Sequence, residues 1–191
     1  MNPKENKAKM KKRKYLTQEE IKQLLEVSLQ GKHGIRNHCI IHLLFRHGFR
    51  VSELCAMKIS DIDMHGKTIH VSRLKNGFST IHPIVKEEEN ALKKWLQKRK
   101  GLPLGDGWLF PSKDGCPLSR KTVYSIIRKM GSTARLALNI HPHMLRHSCG
   151  FALADQGNDT RLIQDYLGHR NIHHTVIYTA SNSARFLKLW K

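Results

Sequence analysis

The stretch from residue 67 to residue 85 constrains this chain most. Lys67 to Arg73 alternates in the manner of a strand, with Ile69 and Val71 on one face. Asn76-Gly77 is a strong hairpin turn, because both residues accept the positive φ that a tight two-residue loop demands. Ser79 to Val85 reads as the return strand, and Pro83 marks it as an edge, since proline has no N–H to give a neighbour. Lys75 then lies at the hairpin tip, free to reach outward. The segments on both sides have helical periodicity, so the hairpin is embedded among helices. The expected fold class is mainly α with a small antiparallel β-sheet (α+β). Trp108-Leu109-Phe110 reads as a further short strand.

The helical segments come with their own punctuation. Thr17-Gln18-Glu19-Glu20 is a capping box, and the helix it opens runs through Ile21, Leu24, Leu25 and Leu29 to Gly31. A second helix, about Ile35 to His47, buries Ile40, Ile41, Leu43 and Leu44 and stops at Gly48. A short helix from Val51 to Met57 follows at once. Arg50 therefore sits at a tight corner just ahead of a helix N-terminus, where backbone amides favour an anion. Lys86 to Lys100 forms a helix carrying Leu92, Trp95 and Leu96. Ser119 caps another that extends to about Leu138, Pro142 starts the helix of His143 and Arg146, and Asp159 caps one ending near Gly168.

Length and charge bound the class. The chain has 191 residues, enough for one sizeable domain. Its formal net charge of +19 opposes compaction unless a polyanion is the partner, and nucleic acid fits best, by counterion release from phosphates. No long basic amphipathic helix speaks for a membrane surface, no apolar run is long enough to span one, and no secretory signal is recognisable. The four cysteines show no C-x-x-C spacing, and Cys39 and Cys55 sit among core residues, which suits the reducing cytoplasm. Residues 1–14 hold seven basic side chains and one acidic one and read as a flexible basic arm. Residues 15–180 form the expected domain. Residues 181–191 form a tail whose Phe186, Leu187, Leu189 and Trp190 need a surface to dock on.

The remaining polar residues suggest a chemistry. Breaking a phosphodiester requires charge stabilisation at phosphorus, a nucleophile and a proton for the leaving oxygen. Arg50 and Arg146 can hold non-bridging oxygens through their planar forks. Tyr178 can attack, His143 can take its proton, Lys75 can protonate the leaving oxygen, His169 can donate to the phosphate, and Glu53 can orient the arginines.

The ordered set — Arg50 in Gly48-Phe49-Arg50-Val51-Ser52-Glu53-Leu54, hairpin Lys75, His143-Met144-Leu145-Arg146, His169 after Leu167-Gly168, then Tyr178 — resembles the tyrosine recombinase (phage integrase) family. The resemblance implies the catalytic-domain fold of that family. It implies Tyr178 as nucleophile, the arginines and His169 on the scissile phosphate, Lys75 as general acid and His143 as acid/base. It implies no metal and no cofactor. Within the family, Arg73 to Thr80, His141 to His147, Asp159 to Asn171 and Tyr178 to Asn182 are similar to the short recombinases that invert fimbrial promoter switches, the mannose-resistant, Proteus-like switch in particular. The implied partners are double-stranded DNA with short inverted repeats, a homotetramer on that DNA, and DNA-bending accessory proteins. Most members carry an N-terminal core-binding domain that closes a clamp around DNA; this sequence starts almost directly with the catalytic region.

Two rival readings stand beside this one. His143/His147 and His169/His173 have the i, i+4 spacing of a ligand pair in a metal-dependent nuclease, but Arg146 lies inside the first pair and no H-E-x-x-H accompanies either. A non-catalytic DNA-binding regulator would have no use for Tyr178.

Overall fold

The computed structural model describes residues 13–73, 79–102 and 107–180. The basic arm up to residue 12, the hairpin tip with Lys75, and the tail 181–191 lie outside the described residues. Helices α1 (Gln18–Ser28), α2 (Gly34–Arg46) and α3 (Val51–Cys55) come first, then a 3-10 turn at Ile59–Asp61. Strands β1 (Ile62–Asp63), β2 (Thr68–Val71) and β3 (Thr80–Pro83) follow. Helices α4 (Lys86–Lys100), α5 (Arg120–Thr133), α6 (Pro142–Asp155), α7 (Thr160–Leu167) and α8 (His173–Ala180) complete the order.

Helix α2 is the centre of the molecule. Its 13 residues include Cys39, Ile40, Ile41, Leu43 and Leu44, all fully buried, and it packs against α1, α4 and α6. A helix apolar around most of its circumference has to lie inside. The capping box at Thr17 forms as expected: its hydroxyl accepts from Glu20 N–H, and the Glu20 carboxylate accepts from Thr17 N–H at 2.8 Å. Around α2 the core takes in Trp95, whose indole N–H donates to Leu109 O at 2.9 Å, and the buried Phe110. Cys39 and Cys55 are buried thiols within it.

The sheet is antiparallel in the order β1-β2-β3, with Ile69 opposite Ile62 on one side and His82 on the other. Ile69 and Val71 face inward, as their alternation predicts. The return strand is shorter than its sequence suggests. Pro83 pairs with Thr68 at the end of an edge strand, and Val85 already serves as the N-cap of α4. Strand β1, two residues long, carries no alternation that could have announced it.

Two further expectations are corrected. Trp108-Leu109-Phe110 is not a strand; Trp108 makes one isolated bridge with Lys58, and Leu109 N–H donates to Met57 O at 2.8 Å. The helix capped by Ser119 stops at Thr133, not near Leu138. Arg135 turns the chain with a left-handed φ of 52°, which drops Leu138 and Ile140 into the core. Tertiary burial there overrides helix propensity. No helix among the described residues is long and apolar enough to cross a membrane.

Candidate active site

The site is assembled where the C-terminal end of α2 meets α6, α7 and α8. Gly48 makes the corner with a φ of 57°, a region that costs glycine nothing. A Cβ there would come within 2.4 Å of Leu167 Cδ2, so the close approach of α7 also demands glycine. Arg50 follows in extended conformation as the N-cap of α3. Glu53, at the third position of that helix, accepts from Arg50 N–H at 2.8 Å and from Arg50 Nη1 at 2.7 Å. The oxygen that takes the Arg50 N–H, Oε2, also accepts from Arg73 Nη1 at 3.0 Å. Burial works to raise the Glu53 pKa, but the Arg73 charge and the Arg50 hydrogen bonds outweigh it and hold the carboxyl below its usual range.

Arg146 projects from the first turns of α6, which Pro142 opens. The side chain is 1% exposed. It donates from Nη2 to Leu167 O at 2.7 Å and from Nη1 to Gly48 O, a shorter contact. A guanidinium has five N–H donors, so three remain for an anion. Burial, then the charges of Arg50 and Arg73, bring its pKa down to about 10, and it stays protonated at neutral pH. Arg50, Arg73 and Arg146 thus surround a single carboxylate, an excess of positive charge suited to the anionic transition state of phosphoryl transfer.

Tyr178 lies on α8 and is also 1% exposed. Its ring fills the space that Gly150 leaves free; a Cβ at that position would meet the ring at 2.5 Å. Its hydroxyl is 3.0 Å from His147 Nδ1. Burial chiefly raises the phenol to about 12, against the opposing pull of Arg146. Burial, then the charges of His143 and Arg146, lowers His147 to about 4, so this imidazole is neutral at pH 7 and free to accept a hydrogen bond from the phenol. His143, the sequence-based candidate for that task, packs edge-on against His147 with ring centroids 4.5 Å apart, one ring removed from the hydroxyl. It lies at the mouth of the site. Desolvation of its inner edge, then Arg146, lowers its pKa.

His169 follows Gly168, the left-handed C-cap of α7. Its Nδ1 is 2.8 Å from Thr175 Oγ1, its backbone O accepts from Gln164 Nε2 at 2.9 Å, and its ring stacks against Tyr178 at 6.3 Å. Burial and the charges of Arg146 and Arg50 bring it down to about 3. When Nδ1 accepts from Thr175, the ring proton resides on Nε2 and is available to a phosphate oxygen. The structure therefore gathers Arg50, Glu53, Arg146, His169 and Tyr178 in one place, with His143 at the rim. Lys75 lies outside the described residues.

Two participants escaped the sequence reading. Arg73 is 6% exposed; it pairs with Glu53 and donates from Nη2 to His47 O at 3.0 Å and Tyr166 O at 2.6 Å. The signal was available: Arg73 shares its alternation phase with buried Ile69 and Val71, and an arginine on an apolar face needs a carboxylate. His147 was read only as half of a metal-ligand pair; it lies one helical turn beyond His143, and nothing local distinguishes the two.

Residues 14–185 match the phage integrase family, and the chain belongs to it: it is a tyrosine recombinase. Among curated relatives, the type 1 fimbriae regulatory protein FimB of Escherichia coli (strain K12) is 57% identical over 186 residues, covering 97% of this chain and 93% of FimB. The type 1 fimbriae regulatory protein FimE of the same strain is 50% identical over 185 residues, covering 95% and 93%. Among solved structures, the XerA recombinase superposes with a TM-score of 0.80 at 31% identity, over 92% of this chain and 63% of that one. The XerH site-specific recombinase, in a post-cleavage complex with its palindromic difH substrate, gives 0.78 at 27% identity, over 90% and 51%. The chain thus spans about half to two thirds of those solved chains, and nearly all of the two fimbrial regulators.

Proposed function

We propose that this site-specific recombinase cuts and rejoins DNA through a 3′-phosphotyrosine on Tyr178, and that it inverts a promoter element between short inverted repeats to switch fimbrial gene expression. In the first step the Tyr178 oxygen attacks phosphorus and the 5′-oxygen leaves with a proton from Lys75. In the second, the 5′-hydroxyl of the partner duplex attacks the same phosphorus and the tyrosine leaves. The bond energy stays in the phosphotyrosine, so no ATP is consumed. Arg50, Arg146 and His169 hold the phosphate, Glu53 and Arg73 fix the arginines, and His143 and His147 serve the phenol's proton. Exchange between two sites calls for a homotetramer. The basic arm 1–14 tracks the DNA backbone, and the tail 181–191 docks on the neighbouring subunit.

The observation that carries the reading is that Tyr178 and Arg146 are both buried and close enough for each to shift the other's ionisation. A nuclease relying on bound metal or a DNA-binding regulator has no need to bury a tyrosine there. The fimbrial assignment draws on similarity to FimB and FimE over nearly their full lengths. The test is a plasmid carrying the DNA that neighbours the gene, with orientation read by amplification across the repeats. The native chain should invert it and form a covalent adduct on a nicked suicide duplex, in excess chelator. Tyr178→Phe should bind the same duplex, form no adduct and leave the orientation unchanged. Adduct formation by the phenylalanine variant would overturn the assignment.

A further inference from the structure

The segment leading into α1 is built into the seat of the tyrosine. Leu16 is 3% exposed, and its backbone N–H donates to Ser148 Oγ on α6 at 2.7 Å. Ser148 Oγ in turn donates to Met144 O at 2.8 Å, so the segment is tied to the helix that carries Arg146. Tyr15 stacks on Phe151 with ring centroids 3.9 Å apart and planes 29° from parallel. Phe151 meets the Tyr178 ring edge to face at 5.1 Å. Tyr15 is itself held by Arg13, which lies over its ring at 5.5 Å from the centroid and pairs with Glu20.

The seat of Tyr178 on α6 therefore has three parts. His147 takes the hydroxyl, Gly150 leaves room for the ring, and Phe151 forms the wall. Phe151 is only partly buried, so its own rotamer depends on what covers it. Tyr15 supplies that cover. Such an aromatic pair is favourable beyond its buried area and selects one rotamer of a half-exposed phenylalanine. In-line attack at phosphorus tolerates little error, and a misplacement of roughly 1 Å can cost on the order of a hundredfold in rate.

We propose that Tyr15 and Phe151 are positioning residues for the nucleophile. The Tyr15–Phe151 stack fixes the wall against which Tyr178 is set, so the residues just before the first helix govern strand cleavage without touching the DNA phosphate. This rests on Tyr178 being the nucleophile. It differs from a plain stabilising role for Tyr15 because it bears on one half-reaction only.

The test separates the two half-reactions on a half-site duplex cut from the repeats that the native chain inverts. Cleavage of a nicked suicide strand needs Tyr178. Joining a 5′-hydroxyl strand to a strand ending in a 3′-p-nitrophenyl phosphate does not: the hydroxyl oxygen forms the new bond to phosphorus, nitrophenolate leaves with the electron pair, and the hydroxyl proton goes to solvent. Joining still needs the arginines. Tyr15→Ala and Phe151→Ala should slow cleavage by about tenfold to a hundredfold and leave joining near the native rate. Tyr15→Phe keeps the ring and should restore cleavage. Equal loss in both reactions would overturn the proposal in favour of a structural role, and so would native cleavage by Tyr15→Ala or failure of Tyr15→Phe to rescue. Tyr178→Phe, run alongside, should join without cleaving; if it cleaves, the nucleophile assignment has failed, not the stack.

Discussion

Arg146 and Tyr178 are buried to the same depth, 1% exposed each, yet they are held by different means. The arginine is fixed by two backbone carbonyls, Gly48 O and Leu167 O, and its neighbours Arg50 and Arg73 share the Glu53 carboxylate. Among the described residues the tyrosine has one side-chain hydrogen bond, to His147, and otherwise rests among rings on an eight-residue helix. Directional bonds to a rigid backbone preorganise charge for the transition state. Ring packing holds a side chain firmly but leaves it able to move. The arginine cluster is thus set in advance, while Tyr178 is stored as a phenol out of solvent. On α8, Val176 and Ile177 remain exposed, as does Ile172 just ahead of it, which marks this as the less anchored half.

The largest expected effect would break the arginine side. Glu53→Gln leaves Arg73 buried with no opposing charge, and losing one partner of such a pair costs about 3–5 kcal/mol. Chemical denaturation should show that loss together with the loss of strand cleavage. An unchanged midpoint would mean that Arg73 is satisfied by its carbonyl contacts alone.

Arg146→Lys tests preorganisation. Lysine keeps the charge but cannot bridge Gly48 O and Leu167 O while presenting a fork to phosphate. Single-turnover cleavage should fall on the order of a hundredfold or more, with DNA affinity close to native. Near-native cleavage would show that bulk charge suffices.

Gly150→Ala addresses the other half. The new methyl meets the Tyr178 ring, and relief of such overpacking typically costs about 1–3 kcal/mol. Here the ring can leave its seat, so tyrosine fluorescence and proteolysis of α8 should change while the fold around Arg146 stays intact. A variant with an unmoved tyrosine would mean that α6 yields instead.

The smallest effect is a pH slope. His42 and His147 are lowered to about 4, and His82 and His169 to about 3, in each case chiefly by burial. Between their ordinary value near 6.5 and these folded values, the unfolded chain binds more protons than the folded one. Stability is therefore full above that ordinary value and falls as pH drops through the window. Melting temperatures measured from neutral pH downward should show this decline, and His147→Gln should make it shallower. The same slope in the variant would mean that His147 is not held neutral.

Much of this was legible in the chain itself. The hairpin at residues 67–85, the capping box at Thr17, Gly48 as a helix stop and Pro142 as a helix start are local signals, because each depends on residues within one turn or one strand pair. The set Arg50, Glu53, Arg146, His169 and Tyr178 could be picked out because its residue types and order are specific. The exact ends of α5 and β3 could not, since burial of Leu138 and Ile140 and the capping of α4 decide them from elsewhere in the molecule.

The sequence by itself determined a mainly helical domain, a strongly basic surface and which side chains have the chemistry to open a phosphodiester. Only the tertiary structure decided that Arg73 completes the arginine cluster, that His147 and not His143 stands on the Tyr178 hydroxyl, and that Tyr15 reaches Tyr178 through Phe151. The reason is distance along the chain. Glu53 and Arg73 are 20 residues apart, His147 and Tyr178 are 31 apart, and Leu16 and Ser148 are 132 apart. Local propensity and spacing cannot select among such pairs; the packing of α6, α7 and α8 around the end of α2 does.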